Sequence, residues 1–139
     1  VWGADFMSFW FYMLAMNLLV PLCMVGFGWK FSHNPPENIN KRFGYRSSMS
    51  MLNRDTWAFA HRFCGRLWFW LGLLLLLCSG LFMFFMLGAD EQSLGRASAI
   101  LCLCQLIPMA AVIIPTEIAL RRTFHPSGRR KKSVKGRLQ

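Results

Sequence analysis

Residues 67–89 read LWFWLGLLLLLCSGLFMFFMLGA, and the reading of that stretch decides the fold. It holds no charged residue. A helix needs about 20 apolar residues to cross a hydrocarbon core about 30 Å thick, so this stretch is long enough to span a bilayer. Trp68 and Trp70 sit at its start, where indole rings favour the membrane–water boundary. Upstream there is no proline back to Asn53, a good N-cap, and Asp55 lies in the positive first turn behind it. The spacing therefore predicts one helix from Arg54 to about Gly88. At about 1.5 Å per residue it is longer than a bilayer is thick, so its first three turns are expected among headgroups or in the cytosol.

Two more apolar runs flank it. Residues 6–29 carry no charge, with Trp2 and Trp10 toward one end and Trp29 at the other. Pro21 removes the N–H that would bond the Asn17 carbonyl, which predicts a kink and requires a neighbouring helix or water to satisfy that carbonyl. This run lacks a basic segment before Lys30 and exceeds the roughly 7–15-residue core of a signal peptide, so it reads as a span. Residues 97–120 form the third run. Pro108 and Pro115 leave it bent or partly broken, and Gln105 and Glu117 are its polar members. A short turn over residues 89–95, with Asp90 and Glu91, joins the second and third runs.

Composition agrees with this reading. Of 139 residues 55% are hydrophobic, including 13 Phe, 6 Trp and 9 Met, more large apolar surface than a small soluble domain can bury. The net charge is +10, and the basic residues are unevenly placed. Seven Lys or Arg lie in the connector 30–66 and eight in the tail from Arg121 onward, against one in the turn 89–95 and its flank. The positive-inside rule then puts connector and tail in the cytoplasm and the N-terminus outside. The expectation is an all-α integral membrane protein with a three-helix transmembrane domain over residues 1–122 and a basic cytoplasmic tail over 123–139. The spans fall at about 6–29, 67–89 and 97–120.

Within the connector, His33-Asn34-Pro35-Pro36 is not helical at its centre, and Gly44 is expected to make a turn. On the second helix, Trp57, His61, Cys64 and Trp68 share one face, while Asp55, Arg62 and Arg66 share another that can meet lipid phosphates. Two readings stand for this stretch: a pre-membrane helix anchored in headgroups, or a polar pocket closed by Arg46, Asn53 and His61. Glu117 is the one acid inside a span. Its spacing to Arg121 predicts an ion pair, with a ligand or proton site involving His61 as the alternative. Cys23, Cys64, Cys78, Cys102 and Cys104 read as apolar fillers rather than a disulfide framework. No nucleophile elbow, phosphate-binding loop, paired catalytic carboxylates or metal-ligand spacing is present. His33, His61 and His125 are scattered, and no metal or cofactor is expected. The run Arg129-Arg130-Lys131-Lys132, extended by Lys135 and Arg137, follows a membrane helix, so anionic lipid is its expected partner and nucleic acid is not.

Several of these residues fall in a familiar order. Phe43-Gly44-Tyr45-Arg46-Ser47 leads through Ser50-Met51 to Asn53-x-Asp55-Thr56-Trp57 and Phe59-Ala60-His61. Thr116-Glu117-x-x-Leu120 and Phe124-x-x-x-Gly128-x-Arg130-Lys131 follow. The series resembles the SdpI family of bacterial toxin-immunity membrane proteins. Ser47 stands where that family usually has Thr, and His125 where it usually has an acid after the Phe of the tail. The resemblance implies a multi-pass protein of the bacterial inner membrane that binds or excludes a membrane-active peptide toxin. It also implies a cytosolic regulator protein as a further partner, and a chain this short is a candidate for a homo-oligomer. Its binding residues would be Tyr45, Arg46, Ser50, Asn53, Asp55, Trp57, His61 and Glu117, with no catalytic residue among them. Two other classes remain open: an intramembrane enzyme or lipid-binding protein using Arg46, His61 and Glu117, and a small structural subunit of a membrane complex.

Overall fold

The structure, a computed structural model, describes residues 3–39 and 44–131. Its elements are four helices: α1 (Ala4–His33), α2 (Arg54–Phe85), α3 (Glu91–Ala111) and α4 (Ile113–Thr123). Among the described residues the one β pairing is an isolated antiparallel bridge between Phe124 and Arg130. α1, α2 and the stretch made by α3 with α4 are each long and apolar enough to cross a membrane. The protein is all-α and multi-pass.

Burial is inverted relative to a water-soluble protein. Asn17, Ser79, Ser98 and Gln105 are buried, while Leu77, Phe84, Phe85, Leu103 and Ile107 are exposed. In water that arrangement would leave large apolar side chains solvated around a polar interior. In lipid it is the stable one, because lipid tails give no hydrophobic force between helices and close packing with interhelical hydrogen bonds takes over.

Small residues let α1 and α2 approach. Gly65, Gly72 and Ser79 recur every seven residues along α2 and are all buried. A Cβ at Gly65 would lie 2.7 Å from the Gly28 carbonyl oxygen and 2.7 Å from the Ser32 nitrogen. One at Gly72 would meet Val25 Cγ2 at 2.8 Å. Farther along the pair, Trp10 Nε1 donates to the Met83 carbonyl at 2.9 Å, so the two helices run antiparallel.

The carbonyl freed by Pro21 has found its partner. Gln105 Nε2, from α3, donates to the Asn17 carbonyl at 2.8 Å and to Ser79 Oγ at 2.7 Å. Asn17 Nδ2 in turn donates to Ser98 Oγ at 3.0 Å and meets Met83 Sδ at 3.0 Å. One polar node thus ties all three membrane-crossing stretches together. Gln105 Oε1 is buried and has no partner among the described residues.

Pro115 has the second effect expected of it. It offers no N–H to the Ala111 carbonyl, and regular helix is interrupted between Ala111 and Ile113. Val112 keeps helical torsions (φ −62°, ψ −17°), so the interruption is confined to one residue. Trp68 Nε1 caps one loosened carbonyl, that of Met109, at 3.1 Å.

Helix starts follow their caps. Asn53 and Thr56 form a reciprocal capping box at α2. α3 begins at Glu91, six residues before the apolar run used to place it, because Asp90 accepts the Ser93 N–H and sets the start there. At the other end of the bundle, Phe124 and Leu120 are buried against Ala60, with Tyr45 and Phe59 packed around them.

Candidate functional site

The connector folds back over the junction of α1, α2 and α4, and Tyr45 fastens it there. Gly44 has φ +109°, a torsion that favours glycine, and a Cβ at this position would collide with the His61 imidazole. The turn brings the Tyr45 N–H to within 2.9 Å of His61 Nε2. His61 Nδ1 lies 2.8 Å from the Trp57 carbonyl. A carbonyl can only accept and an amide N–H can only donate, so the ring is neutral with its proton on Nδ1. Against it pack Trp57, tilted with 4.2 Å between centroids, and Phe31, perpendicular at 5.1 Å.

The Tyr45 side chain reaches the other way. Its hydroxyl donates to Glu117 Oε1 at 2.7 Å, and the Ile113 carbonyl lies 3.4 Å away. Burial, and then the Glu117 carboxyl group, hold this hydroxyl above its ordinary pKa, so it stays protonated and acts as the donor. Glu117 is therefore not paired with Arg121, as the four-residue spacing predicts. Tyr45 takes the carboxyl group inward, and the described ion pair is Arg130 with Asp55 at 2.7 Å.

Other expected site residues hold the connector's shape. Ser50 is buried and central: its hydroxyl donates toward the Tyr45 carbonyl at 3.0 Å and accepts the Ser47 N–H at 2.7 Å. Thr56 Oγ1 donates to the Ser50 carbonyl at 3.0 Å. Asn53 caps α2 through its oxygen and donates from Nδ2 to the Gly128 carbonyl at 2.8 Å. Trp57 is fully buried, with Nε1 donating to the Pro36 carbonyl at 2.8 Å. Asp55 holds Arg130, whose guanidinium also lies over the Phe124 ring at 5.0 Å. A strap over residues 124–131 is thus tied to the start of α2.

Under the connector lies an open cavity of about 510 Å³. Phe27, Phe31, Cys64, Trp68, Met109, Val112 and Ile113 line it, and Tyr45, Arg46 and Ser47 form its polar edge. Of the three residues expected to close a pocket, Arg46 is on this edge. His61 stands behind Gly44 and Tyr45, and Asn53 is turned away toward Gly128. Arg46 is exposed and has no hydrogen-bond or ion-pair partner among the described residues. Sequence reasoning missed the apolar wall, because Phe27, Met109 and Ile113 come from different helices. It missed Gly128, at φ +89°, as the acceptor for Asn53 as well. The spaced pattern of Phe124, Gly128 and Arg130 was the available signal for that strap. Phe43 and the basic residues Lys41, Arg42, Lys132, Lys135 and Arg137 lie outside the described residues.

The family model described as the SdpI/YfhL protein family matches residues 37–116, more than half of the chain, from the connector to the first turn of α4. No curated protein and no solved structure matches it.

Proposed function

The chain belongs to the SdpI/YfhL family, and on that premise we propose that it is an immunity-type membrane protein that binds or excludes a membrane-active peptide toxin. The observation that carries this reading is the double attachment of Tyr45. Its N–H to His61 and its hydroxyl to Glu117 fix a polar roof, with Arg46 on the edge, over an apolar cavity between helices. An amphipathic peptide needs such a surface, one side apolar and the other able to hydrogen-bond. The remaining expected residues, Ser50, Asn53, Asp55 and Trp57, act in this proposal by holding the roof. The charge distribution supports a cytoplasmic connector and tail in a bacterial inner membrane, with the N-terminus outside. The basic connector is the surface that a cytosolic regulator would use.

The test is survival of a toxin-sensitive bacterium. Expression raises survival, and Arg46→Ala or Glu117→Ala removes the gain at unchanged protein level. Equal survival with and without the protein rejects the proposal. An enzymatic reading through Arg46, His61 and Glu117 has no comparable support: the His61 ring is engaged at both nitrogens and fully buried.

A further inference from the structure

We infer that the cavity beneath the connector holds an acyl chain of an anionic membrane phospholipid, with the phosphate seated at Arg46. The wall is apolar, set by Phe27, Phe31, Trp68, Met109 and Ile113. Backbone carbonyls loosened by the helix interruption could have made it polar. Trp68 takes that of Met109, and the Val112 N–H takes that of Ala110. The Tyr45 hydroxyl lies near that of Ile113. A polar guest would therefore find few groups to bond inside, whereas a hydrocarbon chain loses nothing by entering.

The volume of about 510 Å³ lies within the range of ligand-binding pockets, about 300–1,000 Å³. The cavity is open, and Ile113 on its wall is half exposed, on a surface that faces lipid. Charge fixes the headgroup. Among the described residues no carboxylate lines the cavity, Glu117 is occupied by Tyr45, and Arg46 is the one cation on the edge, with no hydrogen-bond or ion-pair partner. A guanidinium with free donors matches a phosphate in two parallel hydrogen bonds. Free phosphate lacks the apolar part that the wall requires, so the ligand is a lipid.

This inference rests on the same cavity as the immunity reading, but its test contains no toxin, so the two fail separately. The full chain, purified in detergent, is melted with phosphatidylglycerol or with phosphatidylcholine of identical chains. Phosphatidylglycerol is expected to raise the midpoint by about 4 °C more than phosphatidylcholine does. Arg46→Gln abolishes that difference. Ala110→Phe, which fills the cavity from an exposed position, abolishes the response to both lipids. Arg96→Gln, an exposed cation near the start of α3 away from the cavity, keeps the preference. The inference is overturned by equal shifts for the two lipids, by a preference that survives Arg46→Gln, by an undiminished response in Ala110→Phe, or by a loss in Arg96→Gln as large as in Arg46→Gln.

Discussion

Tyr45 donates once from its backbone and once from its ring, and substitution separates the two bonds. Tyr45→Phe keeps the amide bond to His61 and removes the one to Glu117, leaving a carboxyl group in a half-buried setting without its donor. Such a loss costs about 1–2 kcal/mol, read as a lower unfolding midpoint in detergent. Glu117→Gln keeps an acceptor oxygen at the same place and should cost less than Glu117→Ala. Equal effects of those two changes would mean that the hydrogen bond contributes nothing. Gly44 is constrained twice, by its positive φ and by the imidazole against it. Gly44→Ala should therefore destabilise by about 1–3 kcal/mol, although the residue is exposed. At this scale the sequence was only partly legible. A turn at Gly44 and a cap at Asn53 were readable, and Tyr45, His61 and Glu117 could be singled out as candidates. Which of them touch was not, because Tyr45 and Glu117 are separated by 72 residues. The local Glu117–Arg121 spacing suggested the wrong partner for the same reason.

Elements are held together where helical hydrogen bonding is broken. Pro21 opens the Asn17 carbonyl on α1, and Gln105 on α3 closes it. Gln105→Leu should destabilise by about 1 kcal/mol or more, since it leaves that carbonyl buried and unpaired. Pro21→Ala restores the missing N–H, so in that background Gln105→Leu should cost clearly less. A double-mutant cycle measures this, and simple additivity would contradict the account. The open carbonyl could be read from one proline, but its donor, 88 residues away in sequence, could not. The glycine stripe was not singled out either, because Gly65 and Gly72 look like dilution of an apolar run until the partner helix is in place. Gly65→Leu should lower the unfolding midpoint more than Gly80→Leu, since a Cβ at Gly80 meets nothing within 4 Å.

The whole molecule is arranged for an apolar solvent, with its polar side chains gathered at the node around Asn17 and beneath the connector. That arrangement was the most legible part of the sequence, because three apolar runs of sufficient length admit few other folds. Helix ends were less so. α3 starts at an acidic cap lying outside the apolar run, and the strap over residues 124–131 is fixed by tertiary bonds from Asn53 and Asp55. The cationic connector and tail leave one more consequence at this scale, the side of the membrane on which the proposed site lies. In intact bacteria, with the five native cysteines replaced, Ser48→Cys in the connector and Gln92→Cys at the start of α3 are probed with a membrane-impermeant maleimide. The account predicts labelling at position 92 in intact cells, and at position 48 only after the inner membrane is permeabilised. Labelling at position 48 in intact cells, or at both positions alike, would contradict it.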